Sequence, residues 1–382
     1  GPGATNLITG VADANLDHAP LVAIAGQAGT NRLHKESHQV LELTKLFQPV
    51  TKYAASLLEP DIIPEVVRKA FKVALTEKSG ATFIEFPENV AGMEVESAPL
   101  RVTHPPAPEP PGAKVEEAAR LISDASNPVI LAGNGVVRAG AWNQLASFAD
   151  TLNIPVANTF MAKGVIPFRH RCTLGSAGLQ ANDYISCGFN KADVIICVGY
   201  DLVEYHPYLW HPTRDRTIIH LDRSPAEIDA HYPVAVGVSG DLKHSLERIA
   251  ALAIPHEGHH MRPLRERLEM NQHSEDNGFP VKPQKIIWDL RTVLELEDIV
   301  VCDVGAHKMW MARMFRCEYP NTCIISNGFA SMGIAVPGAV AAKLANPQRN
   351  VVAVTGDAGF MMNSQEIETA VRYKLPIVIL IW

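Results

Sequence analysis

The chain is expected to be an α/β protein built from three doubly wound parallel-sheet domains, the first and last of them incomplete. Three observations lead there. Short apolar runs of strand length alternate with helical stretches along the whole chain. Two connectors, the first rich in proline and polar residues and without periodicity, divide that alternation into three blocks. Both ends fall inside the pattern. Gly1-Pro2-Gly3 opens directly on a helix signal, and LPIVILIW stops at Trp382 within a strand-like run, an edge that an intact domain rarely exposes to water.

The first block covers residues 1–95. ATNLITGVADAN reads as a helix, PLVAIAG as a buried strand, PDIIPEVVRKAFKVALT as a long amphipathic helix and GATFIEFP as a strand. Residues 96–113 form a linker. The second block, 114–255, repeats helix and strand through VEEAARLISDA, NPVILAG, AWNQLASFADTL, IPVANTF, ADVIICVG and RTIIHLD. Apolar strands alternating with helices imply a parallel sheet covered on both faces. Residues 256–281 form a second linker. The third block, 282–382, carries the helix KPQKIIWDLRTVLE and the strands IVVCDVG and TCIISNG. The helix GIAVPGAVAAKLA, the strand NVVAVTG, the helix NSQEIETAVRYK and the strand PIVILIW complete it.

Composition excludes several classes of function. A net charge of -7 over 382 residues leaves no electrostatic footprint for nucleic acid. No apolar run is long enough to span a membrane and no charged-then-apolar leader is present, so a cytoplasmic protein is expected. The six cysteines are scattered, with no C-x-x-C pair, and read as buried free thiols in a reducing compartment.

The sharpest local signal is NVVAVTGDAGFMMNSQE. A buried strand ends near Val354. Gly356, Asp357, Ala358 and Gly359 then turn sharply, with a helix expected from near Asn363. Such a turn lets backbone N–H groups approach a phosphate, and its aspartate can ligate Mg²⁺, which prefers hard oxygen ligands. Spacing alone does not separate this from an ordinary strand-to-helix turn capped by Asp357.

Other segments bear on that choice. GPGATNLITGVADAN and PLVAIAGQ resemble the pyrimidine-binding domain of thiamine-diphosphate enzymes. DVGAHKMW, SNGFASMGIAVPGAV and GDAGF followed by LPIVILIW resemble their diphosphate-binding domain. The block between them takes the place of the central Rossmann-like domain. Their order and separation resemble the acetolactate synthase family, large catalytic subunit type, from Gly1 to Trp382, as a piece truncated at both ends. The resemblance implies roles by position. Asp357 would ligate Mg²⁺, with Gly356, Ala358 and Gly359 touching the diphosphate. Relatives mostly have glycine at the Ala358 position, so this methyl group is a departure. Gly305, Ala306 and His307 match a loop that touches the diphosphate, although His307 alone could be a solvated loop residue. Met332 matches an apolar wedge beneath the bent cofactor; read alone, it could be a core methionine. Pro2 and Asn6 match positions near the aminopyrimidine ring. Gln39 matches a glutamine on the substrate side, where a buried amide could hold a carboxylate or a developing oxyanion. The activating glutamate would lie upstream of GPGATN and the second metal ligand just beyond Trp382. Neither Glu36 nor Glu88 matches that glutamate, and the chain alone is expected to be inactive.

The central block carries positions that bear on flavin. Gly133, Gly135, Thr159, Gly175, Gly199, Asp222, Gly240 and Asp241 stand where flavin-containing relatives touch FAD. LGSAG lacks the Met-His of the biosynthetic enzymes, EKSGA replaces their arginine-containing turn, and Glu88 replaces their lysine. YDLVEYHPYLWHP resembles the catabolic, flavin-free branch, so FAD is disfavoured. HEGHH at 256–260 lies in a connector and reads as a solvated loop rather than a metal site, with RPLRER beside it as a solvated basic face.

The resemblance implies decarboxylation of pyruvate and ligation to a second 2-oxo acid, giving 2-acetolactate, in a homodimer or homotetramer. The alternatives are another thiamine-diphosphate decarboxylase, a flavin-containing pyruvate oxidase, or a non-catalytic nucleotide-binding α/β protein.

Overall fold

The computed structural model describes residues 1–103, 106–178, 188–257, 262–270 and 276–382. Two compact units emerge, the first comprising residues 1–106 with 328–331, the second residues 107–327 with 332–382. All three sheets are parallel throughout.

In the first unit, helix α1 (Pro2–Leu16) leads into strand β1 (Leu21–Gln27). The short helix α2 (Leu43–Phe47), strand β2 (Tyr53–Ser56), helix α3 (Ile63–Leu75), strand β3 (Ala81–Pro87) and the one-turn helix α4 (Glu88–Ala91) follow. The sheet order is β1-β3-β2. One face packs Phe47 flat on Phe83, ring centroids 3.8 Å apart, against α1 residues Ala4 and Val11. The other packs Ile84 on Leu57 and Ala70 of α3. Strand β1 differs from the expectation of a buried strand: it is only half-buried, with Ile24 56% exposed. Strand β2 was not anticipated. Four residues with two alanines give too short a run to mark it.

The second unit holds two sheets. Helix α5 (Gly112–Asp124), strand β4 (Pro128–Ala132), one-turn helix α6 (Gly135–Arg138), helix α7 (Trp142–Leu152), and strands β5 (Val156–Asn158), β6 (Thr173–Ser176), β7 (Val194–Val198), β8 (Thr217–Asp222) and β9 (Val234–Ser239) precede helix α8 (Leu242–Leu252). The strand order β6-β5-β4-β7-β8-β9 reverses direction between β4 and β7. Side chains alternate across it. Ile130, Ala132, Ile196, Val198 and Ile219 pack on one face, and Val129, Leu131, Ile195, Cys197 and Ile218 on the other. A sheet buried on both faces needs apolar residues at every strand position, which is why these runs carry no alternation in sequence.

Helix α9 (Arg262–Met270) lies in the segment expected to be a featureless connector. Its Arg265 is no solvated cation. The side chain is largely buried, donates to the Phe168 carbonyl at 2.8 Å and covers the Phe168 ring at 4.8 Å. His256 also docks rather than floating in solvent. Its amide donates to the Leu152 carbonyl and its Nε2 lies 3.1 Å from the Ile122 carbonyl. Residues 258–260 of HEGHH lie outside the described residues.

The last sheet follows helix α10 (Pro283–Val293). It comprises β10 (Ile299–Cys302), helix α11 (Ala306–Met314), β11 (Cys323–Ile325), helix α12 (Ala335–Ala345), β12 (Val351–Thr355), helices α13 (Asp357–Asn363) and α14 (Glu366–Arg372), and β13 (Val378–Ile381). The order is β11-β10-β12-β13, with its reversal between β10 and β12. Main-chain and lysine contacts join the two sheets of this unit: Phe168 N–H to the Cys317 carbonyl at 2.9 Å, and Lys163 Nζ to the Ala312 carbonyl at 2.8 Å. Gly164, at φ +89°, sits so close to Tyr319 that an added Cβ would stand 2.2 Å from its carbonyl oxygen.

Cys172, Cys197, Cys302, Cys317 and Cys323 are buried free thiols; Cys187 lies outside the described residues. Burial pushes Cys197 and Cys302 up to about 12, so neither is a nucleophile near neutrality. Among the described residues no helix is long and apolar enough to cross a membrane.

Ile196, fully buried at the centre of the six-stranded sheet, offers a direct check of that core. Ile196→Ala should cost about 2–5 kcal/mol in denaturant unfolding.

Candidate active site

In an open parallel sheet, ligands collect beyond the carboxyl ends of strands where the strand order reverses. In the last sheet that point lies between β10 and β12. Gly305, Ala306 and His307 follow β10; Gly356, Asp357, Ala358 and Gly359 follow β12. The fold therefore brings these seven predicted residues to one crevice. A Cβ built on Gly305 would stand 2.8 Å from the His307 ring, and one on Gly356 would stand 3.6 Å from it.

Two local expectations need correction. The helix after the glycine turn begins at Asp357, not near Asn363, because Gly356 is already the cap and Asp357 the first helical residue. An acidic residue suits a helix start, where the first-turn amides lack intrahelical partners. Asp357 is exposed and its Oδ1 accepts from the Ala358 amide at 2.7 Å, which leaves its second oxygen available to a cation. Likewise Ala306 and His307 do not form a loop but the first turn of α11, and His307 is buried rather than solvated. Burial holds its imidazole below the usual histidine value, against the opposing pull of Asp303. Its Nε2 is buried with no hydrogen-bond partner. A buried ring nitrogen without a partner is costly unless something bound at the crevice completes it.

Asp303, which the motif reading passed over, organises this crevice. It is fully buried at the end of β10. Its Oδ1 accepts from the amides of Val304 at 2.7 Å and Gly333 at 2.8 Å. Its Oδ2 accepts from the Ala335 amide at 3.3 Å and from Thr355 Oγ1 at 3.1 Å. Gly359 is buried against the same carboxylate, and a Cβ there would stand 3.0 Å from Asp303 Oδ2. The glycine thus lets α13 close over Asp303. Met332 lies in the turn held by these bonds. Gly333, at φ +90°, donates to Asp303, and its carbonyl accepts from Asn363 Nδ2 at 2.9 Å. Met332 itself is 43% exposed, which removes the core-methionine reading and leaves an apolar side chain presented on a pinned turn. Lys308, also missed, is buried and donates to the Ser326 carbonyl and Asn327 Oδ1 at 2.9 and 2.7 Å, fixing the segment after β11.

The first unit has its own cleft of about 560 Å³, lined by residues including Gly1, Gln27, Arg32, His38, Gln39 and Glu88. Gln39 is exposed, not a buried amide, and its backbone takes the left-handed conformation at φ +57°. It packs so closely on Gly1 that a Cβ there would stand 2.8 Å from the Gln39 carbonyl oxygen. Pro2 and Asn6 are exposed on the first turns of α1. Buried Gln27 braces the cleft, donating through Nε2 to Glu85 Oε1 at 2.6 Å and to the Leu41 carbonyl at 2.7 Å.

The central sheet reverses between β4 and β7, where Gly133, Thr159 and Gly199 lie. Glu204 fills that crevice. Its carboxyl oxygens accept from the Asn134 amide at 2.9 and 3.0 Å, from the Asp201 amide at 3.0 Å and from Thr159 Oγ1. Arg138 pairs with Asp201 at 3.0 Å, their side chains 9% and 2% exposed. Three further candidates also have structural partners. Asp222 Oδ1 accepts from the Ser224 amide, Asp241 caps α8 by accepting from the His244 amide, and Gly240 lies against Pro110.

Two predictions follow from these carboxyl groups. Asp303→Ala leaves several buried donors without an acceptor and should cost about 3 kcal/mol or more in unfolding free energy. Calorimetric melting measures it. Burial, and then the adjacent Asp201, push Glu204 up to about 8 from 4.5, against hydrogen bonds from Thr159, Asn134 and Asp201. A raised carboxyl value means that the folded chain keeps a proton the unfolded chain has lost. The stabilisation is complete below about pH 4.5 and is lost as pH rises through about 8. Urea unfolding across that window should show the decline, and Glu204→Gln should flatten it.

Comparison with known proteins shows the family. Residues 1–48 match the thiamine pyrophosphate enzyme N-terminal TPP binding domain, residues 115–249 the central domain and residues 303–382 the C-terminal TPP binding domain. The probable acetolactate synthase large subunit of Methanocaldococcus jannaschii is 35% identical, the match covering 100% of this chain and 68% of the relative. Acetolactate synthase of Bacillus subtilis is also 35% identical, over 100% of this chain and 69% of its own length. The acetolactate synthase large subunit of Corynebacterium glutamicum is 33% identical, over 99% and 62%. The chain thus spans about two thirds of the length of these relatives. It belongs to the acetolactate synthase large-subunit family of thiamine pyrophosphate enzymes.

Proposed function

We propose that the protein condenses two 2-oxo acid molecules with loss of carbon dioxide, taking pyruvate to 2-acetolactate with thiamine diphosphate and Mg²⁺. The observation that carries this reading is the partnerless, buried His307 Nε2 beside the Gly356–Asp357 turn, at the reversal point of a sheet in a family named for this cofactor. A diphosphate oxygen there would complete the imidazole and meet the first-turn amides of α13.

When bound, thiamine diphosphate supplies the electron sink that such a decarboxylation and carbon–carbon bond formation need. The chain's own residues bind and orient. Asp357 would offer a hard oxygen ligand to Mg²⁺. The absence of a side chain at Gly305 leaves room for the His307 ring at the crevice. Met332, fixed through Gly333 by Asp303 and Asn363, would offer the cofactor an apolar surface. In the first unit, Pro2 and Asn6 belong to the aminopyrimidine side, and the cleft that holds Gln39 takes the 2-oxo acid, Gln39 being the polar group that faces its carbonyl or carboxylate. The assembly belonging to this reading is a homodimer or homotetramer, which light scattering decides.

Acetolactate formation from pyruvate by the native protein should require thiamine diphosphate and Mg²⁺, each omitted in turn. Asp357→Ala should lower activity at limiting Mg²⁺ by about 10–100-fold. Activity that persists without thiamine diphosphate, or a variant that titrates with Mg²⁺ like its parent, contradicts the proposal.

A further inference from the structure

We propose that Glu204 occupies from within the crevice where a dinucleotide would bind the central domain, so that this domain takes no FAD. The strand order of the central sheet is that of dinucleotide-binding folds, and its reversal between β4 and β7 is where a pyrophosphate would lie. In such folds the glycines after the first strand let the backbone approach the phosphates, and a helix opens there with its amides free. Here both features are used differently.

The glycines serve a contact between two loops of the protein itself. A Cβ on Gly133 would stand 2.4 Å from the Gly199 carbonyl oxygen and 2.6 Å from Glu204 Oε1. One on Gly135 would stand 2.6 Å from Gly199 Cα, and one on Gly199, at φ +58°, would stand 2.4 Å from the Val136 nitrogen. The segment after β4 and the segment after β7 therefore touch, leaving no gap for a phosphate between them. The helix after β4 is a single turn, Gly135–Arg138. The donors that converge on the crevice among the described residues, the Asn134 and Asp201 amides and the Thr159 hydroxyl, already donate to Glu204. The nearby cation, Arg138, is paired with Asp201 in a setting almost closed to solvent. A phosphate entering here would have to displace a carboxyl group from its donors and lie beside a second buried carboxylate, Asp201.

The same residue also braces the last sheet. The Glu204 carbonyl accepts from Asn327 Nδ2 at 2.7 Å, and Asn327 Oδ1 accepts from Lys308. The main chain at Glu204 thus also holds the segment after β11.

The test titrates the full-length native protein with FAD by calorimetry and flavin fluorescence, with thiamine diphosphate present throughout. No saturable binding is expected, whatever the catalytic activity turns out to be. Saturable one-to-one binding, or yellow flavin that purifies with the protein, overturns the proposal. Glu204→Ala should melt about 5–10 °C below its parent. Millimolar formate or inorganic phosphate, entering the vacated space, should restore part of that loss and leave the parent unchanged. A variant that melts like its parent overturns the assignment of Glu204. Should Glu204→Ala not fold, Glu204→Gln preserves the shape and must still refuse FAD; binding by it counts against the proposal.

Discussion

A single buried carboxylate, Asp303, holds together the crevice on which the proposed chemistry depends. It gathers donors from four places: its own neighbour, the turn before α12, the first residue of that helix, and the hydroxyl that ends β12. Four donors satisfy a carboxyl group that would otherwise be costly to bury. The reward is geometric. The glycine turn, the helix that carries His307 and the turn that presents Met332 are all referred to one atom pair, so their spacing is set by hydrogen-bond lengths rather than by loop preferences.

That arrangement explains which parts of the site were legible in the sequence. Gly356 and Asp357 follow an unbroken apolar strand, and a small-residue turn after such a strand is a readable signal. The strands of the two larger sheets were readable for the same reason: VILA, VIICV and VVAVT are apolar at every position, as burial on both faces demands. Met332 and His307 are singled out only by likeness to a family; periodicity alone leaves them as core and loop residues. Asp303 and Glu204 could not be found that way. Most of their partners lie 30 or more residues away in the chain, so the segments DVGAHKMW and YDLVEYHPYLWHP, which contain them, do not show what either carboxyl group holds. Helix boundaries were misread where a glycine caps the helix start. Asp357 and Ala306 look like turn residues until the cap is seen to be the preceding glycine.

The two sheets of the second unit use one topological device to opposite ends. Each reverses its strand order beside a pair of glycine-bearing loops, and each has a buried acid at the reversal. In the last sheet the acid lies beneath the crevice and keeps it open, with a ring nitrogen left wanting a partner. In the central sheet the acid comes from the rim and enters the crevice, and the loops close on each other around it. Strand order shows where a ligand could sit in such folds. Whether one does depends on which side of the loops the carboxyl group approaches from.

Gly164 has a wider meaning for how this unit can change. Its alpha carbon lies so near the Tyr319 carbonyl that no side chain fits, and its left-handed backbone would strain any other residue. The seam it guards joins the central sheet to the last one. A lineage in which that position drifted would have to move the two sheets apart, and the crevice beyond β10 and β12 would shift with them. One hydrogen atom where a side chain would otherwise be thus limits how far the two halves of this unit can diverge independently.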